Sequence, residues 1–154
     1  MPLEQRVAKI LTRRKKTLST AESCSGGLLA HRLTNISGSS NFFKLGLIAY
    51  SNNAKQRLLR VPAQLLKTFG AVSPEVALAM ADNVKKVLNT DFGIAITGIA
   101  GPTGATKTKP VGLVYIAVSS KHRCLCKRFL FKGRRSTVKS LASTAALRLL
   151  LTLL

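Results

Sequence analysis

The residues in this sequence best suited to do chemistry are Ser23, Cys24 and Ser25. They lie within the run Thr20-Ala21-Glu22-Ser23-Cys24-Ser25-Gly26-Gly27. A β-type run, Lys16 to Thr20, precedes them, and a helical pattern from Leu28 to Leu33 follows. A strand end, a Gly-rich turn and a helix start therefore fall close together, with two hydroxyls and a thiol in the turn. The backbone N–H groups of Gly26, Gly27 and Leu28 are expected to be unpaired at the helix start, where they suit an anion or an oxyanion. A nucleophile is thus placed beside a stabiliser of negative charge. The same residues also fit an ordinary strand-to-helix connection in which Ser23 or Ser25 is the N-cap.

A serine nucleophile needs a base, and the choice is narrow. The carboxylates are Glu4, Glu22, Glu75, Asp82 and Asp91, and the histidines are His31 and His122. His31 is two turns along the following helix and His122 is in a hairpin tip; neither has an evident acid to orient it. Lys55 is the better candidate. It follows an apolar strand, in the first turn of a helix and within a strongly basic chain. Helix dipole, like charge and partial burial all lower a lysine pKa, and a neutral lysine can take a serine proton. Tyr50 would orient Lys55 or donate to a leaving group. Lys55 also reads as one solvated lysine among 25 basic residues. Cys24 is an alternative nucleophile whose thiol pKa a helix N-terminus would lower, or a small buried hydrophobe. Glu22 is placed to accept from backbone N–H groups of neighbouring loops. Cys124, Cys126 and His122 are too sparse for a zinc site, and no metal or cofactor is expected.

These residues must be positioned by the elements around them. An amphipathic helix is expected over 3–14, a strand over about 16–21, and a helix over 26–36. Gly38-Ser39-Ser40 reads as a loop. Leu45 to Tyr50 is nearly continuous in apolar residues and is expected to be a strand buried on both faces. Ser51 or Asn52 caps the helix that carries Lys55. A short helix follows Val61-Pro62 and closes at Gly70. Ser73-Pro74-Glu75 then opens a helix to about Leu88, with Val76, Ala77, Met80, Ala81, Val84 and Val87 inward. Phe92 to Thr97 is a buried strand that opens into the Gly-rich loop 98–110, a length that usually carries function. Val111–Val118 and Cys124–Phe131 form an antiparallel hairpin, and a last helix begins at Arg135 or Ser136. The polar clusters Ser23–Gly27, Tyr50–Lys55 and Thr97–Gly104 all fall at strand ends, which converge on one crevice in an open α/β sheet. The expected architecture is a single domain over 1–154. It is α/β, a three-layer α/β/α sandwich on a mixed, mostly parallel sheet with an antiparallel C-terminal hairpin.

Composition sets outer limits. At 154 residues and 46% hydrophobic, the chain suits one folded domain. Its 25 Lys+Arg against 5 Asp+Glu give a net charge of +20. That field favours phosphorylated ligands and attracts nucleic acid weakly. Six Phe, two Tyr and no Trp argue against a base-stacking platform, so no specific nucleic-acid partner is expected. The apolar tail from Leu147 to Leu154 is too short to span a bilayer. No signal-peptide pattern opens the chain, and three cysteines suggest free thiols in a reducing, cytoplasmic setting.

Six stretches resemble the CinA C-terminal domain family. They are Ala21–Gly27, Gly38–Ser40, Tyr50–Lys55, Gly70–Ser73, Thr97–Pro102 and Lys109–Gly112, in family order over nearly the whole chain. The characterised members are nicotinamide-nucleotide amidases. The resemblance implies a Ser-Lys amidohydrolase that converts nicotinamide mononucleotide to nicotinate mononucleotide and ammonia. It makes Ser23 the nucleophile, Lys55 the base and Tyr50 an assisting hydroxyl. Ser25, Gly26, Gly27, Ser39, Thr97, Gly98, Gly101 and Arg135 are then substrate-binding, and the partner is a small phosphorylated nucleotide, with homo-oligomers and a catalytically lapsed, nucleotide-binding form both compatible. The larger family proteins add an N-terminal molybdopterin-binding-like domain, which this sequence is not expected to hold. The loop 101–108 carries Thr, Ala and Lys where members often have acids and a second Gly. Arg134 stands where Asp is common before the arginine. Both departures make the site more cationic.

Overall fold

Alternating apolar runs build one five-stranded sheet in the computed structural model, which describes residues 1–154. The strands are β1 (Leu18–Glu22), β2 (Phe43–Ile48), β3 (Phe92–Gly98), β4 (Leu113–Ser119) and β5 (Cys124–Leu130). Their order is β2-β1-β3-β4-β5. β1 is parallel to both β2 and β3, and β4 is antiparallel to both β3 and β5. Side chains of successive strand residues point to opposite faces, so Ile94 and Ile96 enter one core and Ala95 the other. Helices α1 (Leu3–Arg13), α2 (Leu28–Thr34) and α6 (Arg135–Leu151) cover the isoleucine face. Helices α3 (Asn52–Arg57), α4 (Ala63–Phe69) and α5 (Pro74–Val87) cover the alanine face. The result is the expected three-layer α/β/α sandwich.

Small residues set how closely α5 approaches the sheet. Ala21, Ala95 and Ala117 stand side by side across β1, β3 and β4, and all three are fully buried beneath α5. At Gly93 an added Cβ would lie 2.1 Å from the Ala81 carbonyl oxygen of α5, so only glycine permits this contact. The start of α5 follows from its sequence: Ser73 Oγ accepts from the Val76 N–H at 3.3 Å, with Pro74 in the first turn. Its buried stripe ends at Val84. Val87, expected inward, is 49% exposed because it closes the helix beyond that stripe.

β2 also departs from expectation. It is the sheet edge, hydrogen-bonded to β1 alone, so its burial alternates instead of being complete. Leu45 and Leu47 pack toward the α5 side, whereas Ile48 is 54% exposed. The loop expected at 38–40 is tightened into a single 3-10 turn, Ser39–Asn41. No helix is long and apolar enough to cross a membrane.

The chain order creates a crevice. From β1 the chain passes to α2 on one face, and from β2 to α3 on the opposite face. Adjacent strands whose connections leave to opposite sides open a gap at their C-terminal ends. Ser23 follows β1 and Tyr50 to Lys55 follow β2, so this gap brings them together.

Candidate active site

Ser23 is fixed by its neighbours. It directly follows β1, its N–H donates to the Ile96 carbonyl at 2.9 Å, and it is 7% exposed. Lys55 comes from α3, whose start is capped by Ser51 Oγ accepting from the Ala54 N–H at 3.0 Å. Its side chain turns inward and is 1% exposed. Lys55 Nζ lies 2.9 Å from Ser23 Oγ, 2.9 Å from the Ala49 carbonyl oxygen and 3.2 Å from the Tyr50 carbonyl oxygen.

This geometry decides what Lys55 can do. The two carbonyls can only accept, so they take two N–H bonds. The third direction on nitrogen points at Ser23 Oγ. In the neutral amine that direction is the lone pair, aimed at the serine hydroxyl. Burial pushes the Lys55 pKa down from its ordinary value, and a charged Cys24 would oppose this. Cys24 is not charged near neutrality: burial pushes its thiol up to about 11. Of the two readings of Cys24, the small buried hydrophobe holds and the helix-activated thiol does not. Cys24 is 6% exposed and packs in the core, where desolvation outweighs any gain from the helix start.

Ser23, Tyr50, Lys55, Thr97, Gly98, Gly101 and Arg135 line one cavity of about 310 Å³, at the lower end of the usual size for small-ligand sites. No carboxylate lines it. Tyr50 meets Lys55 through its main-chain carbonyl; its phenol is turned outward to Arg135. Arg135 Nη2 donates to Tyr50 Oη at 2.9 Å and Nη1 to the Gly101 carbonyl at 2.8 Å. The guanidinium thereby joins the segments after β2 and β3 across the mouth. Gly101 has φ +81°, and an added Cβ would stand 2.4 Å from Val111 Cγ1, so the loop can take this path only with glycine. Thr97 is 1% exposed and donates to the Ala71 carbonyl at 2.8 Å, tying the loop before α5 to the wall.

Ser25, Gly26 and Gly27 fall elsewhere. They line a separate cavity of about 370 Å³ with His31, Ser136 and Lys139. The expectation that the N–H groups of Gly26 and Leu28 are free does not hold: they donate to the Ser23 and Ser25 carbonyls at 3.0 and 3.2 Å. The next two N–H groups, inside the first turn of α2, are already taken by a side chain. Glu22 accepts from Ser25 Oγ and from the N–H groups of Leu29 and Ala30 at 2.7, 2.9 and 3.0 Å. The Gly27 N–H has no protein acceptor, as expected, and neither have those of Cys24 and Ser25, which lie beside Ser23 two residues earlier than the expected group. Ser39 opens the turn before β2 and lines neither cavity. His31 faces the second cavity, and His122 stays in the hairpin tip. No three His, Cys, Asp or Glu side chains gather closely enough to ligate an ion.

Sequence reasoning missed the Ala49 carbonyl, which has no side-chain signal, and the pairing of Arg135 with Tyr50. The signal for Glu22 is its place beside a helix start in a chain with 5 acids.

The family model for the CinA C-terminal domain matches residues 1–154. A putative competence-damage inducible protein of Moorella thermoacetica is 51% identical over 148 residues, covering 96% of this chain and 36% of that protein. A CinA-like protein of Syntrophus aciditrophicus is 51% identical over 149 residues, covering 96% and 36%. The chain thus spans about a third of the length of these curated relatives. A solved CinA superfamily protein from Escherichia coli superposes with a TM-score of 0.95 at 36% identity, covering 99% of this chain and 88% of the other. A competence/damage inducible protein from Agrobacterium tumefaciens gives 0.96 at 38% identity, covering 98% and 93%.

Proposed function

From the premise that the chain belongs to the CinA C-terminal domain family, we propose that it is a Ser-Lys amidohydrolase. Its substrate in this reading is nicotinamide mononucleotide, and its products are nicotinate mononucleotide and ammonia. The observation that carries the reading is the 2.9 Å contact between a buried lysine and a serine at a cavity wall.

The chemistry follows from that contact. Neutral Lys55 takes the Ser23 hydroxyl proton as Oγ adds to the carboxamide carbon. The N–H groups of Cys24 and Ser25 stabilise the oxyanion that forms. Lys55 returns the proton to the amide nitrogen, ammonia leaves, and an ester to Ser23 remains. Lys55 then deprotonates a water, which attacks the ester and releases the nicotinate product. Val72, Ile99 and Ala100 offer an apolar wall for the ring. Arg135 has five N–H donors, two of them committed, and the remainder are available to the phosphate at the mouth.

Ammonia release from nicotinamide mononucleotide tests this reading, with Ser23→Ala and Lys55→Arg as controls. Nucleotide binding without ammonia release would replace it with a binding role.

A further inference from the structure

We propose that Glu22 is the residue that positions the nucleophile turn: its carboxylate holds Ser25, and through it the 23–25 backbone, in the geometry that presents Ser23 and the two free N–H groups. This rests on the reading of Ser23 as nucleophile. Glu22 is 1% exposed and ends β1, immediately before Ser23. One oxygen, Oε1, accepts from both Ser25 Oγ and the Leu29 N–H; the other, Oε2, accepts from the Ala30 N–H. Backbone N–H groups can only donate, so both oxygens must act as acceptors. The turn is thereby fastened to the first residues of α2 by a side chain that touches no reacting atom.

The main chain of Glu22 extends the same frame to the base. Its carbonyl accepts from the Ala49 N–H at 2.9 Å, and the Ala49 carbonyl accepts from Lys55 Nζ at 2.9 Å. One residue therefore sets the nucleophile turn through its side chain and the lysine cradle through its backbone. A mutation in the side chain alters only the first. Glu22→Gln keeps the volume but places an NH₂ where a second acceptor is required, opposite a backbone N–H. Ser25→Ala frees the turn while leaving Glu22 on the α2 N–H groups.

The test uses covalent labelling of Ser23 by an alkyl fluorophosphonate, followed by intact mass, with kcat and KM measured alongside. In labelling, the Ser23 Oγ–P bond forms and fluoride leaves, so the readout does not depend on the amide substrate. Glu22→Gln and Ser25→Ala should each slow labelling by about 10²-fold, the loss expected for a small misplacement of a reacting group. The loss should fall on kcat with KM retained, the pH limb should stay in place, and the double variant should lose no more than either single one. Labelling at the wild-type rate in folded Ser25→Ala overturns the proposal, as does additive loss in the double variant. A wild-type protein that labels but releases no ammonia refutes the proposed substrate and leaves the role of Glu22 standing; one that does not label overturns both.

Discussion

Tyr50 holds Lys55 by its main-chain carbonyl, 3.2 Å from Nζ, while its phenol is bound to Arg135 at 2.9 Å. The two halves of Tyr50 therefore serve different ends. Tyr50→Phe removes the second contact and leaves the first. We expect the pH limb of kcat/KM to stay in place, with a loss of about tenfold, the scale of one hydrogen bond, expressed mainly in KM for the phosphorylated substrate. A limb displaced by Tyr50→Phe would show that the phenol, and not the backbone, sets the base.

Lys55 links activity and stability to pH with a definite sign. Its folded pKa lies below the ordinary value of 10.5 because of burial. Between the two values the unfolded chain binds more protons than the native one, so this residue's contribution to stability rises with pH across that window. Lys55→Met removes the contribution. Urea unfolding at pH 7 and pH 9.5 should show wild type gaining on Lys55→Met at the higher pH; a wild type that loses ground to Lys55→Met as pH rises contradicts a depressed lysine. Activity should rise with pH on the same limb, and Lys55→Arg should be inactive because guanidinium stays protonated.

Cys24 should be chemically quiet. Its thiol is buried and pushed up to about 11, whereas Cys124 is exposed. Iodoacetamide at pH 8 should alkylate Cys124 and leave Cys24 untouched, as read by peptide mass. Cys24→Ala should keep most of the activity. Rapid alkylation of Cys24, or an inactive Cys24→Ala that folds normally, would return the thiol to candidacy as nucleophile.

The close approach of α5 gives a stability prediction remote from the site. Gly93→Ala forces a Cβ into the Ala81 carbonyl of α5. Separation of helix and sheet should cost about 3 kcal/mol, at the upper end of overpacking penalties, measured by urea unfolding. A stability equal to wild type would mean that α5 sits farther from β3 than described.

The layers of the fold are legible in the sequence because they rest on periodicity and caps. Ser73-Pro74-Glu75 and Ser51 act as local signals and begin helices where they stand. β2 is misread because apolar content alone does not distinguish an edge strand from a central one; only the strand order does that. The site divides the same way. The convergence of Ser23 with Lys55 follows from the general rule for strand ends, since each follows a strand legible in the sequence. The turn chemistry does not. A free helix start at Gly26, Gly27 and Leu28 is the natural reading of a Gly-rich turn, but Gly26 and Leu28 turn back onto the Ser23 and Ser25 carbonyls, and Glu22 reaches forward three to eight residues to Ser25 and the first turn of α2. Long-range carbonyls such as Ala49, which has no functional side chain, leave no trace in a single sequence.

Ammonia release from nicotinamide mononucleotide, measured on the wild-type protein and on Ser23→Ala under identical conditions, is the most direct test of a Ser-Lys amidohydrolase. The wild type should release one ammonia per nicotinate mononucleotide formed. Ser23→Ala should be slower by about 10⁴-fold or more, the scale of losing a nucleophile from a coupled catalytic unit. No ammonia from the wild type, or equal rates from the two proteins, would contradict a Ser-Lys amidohydrolase.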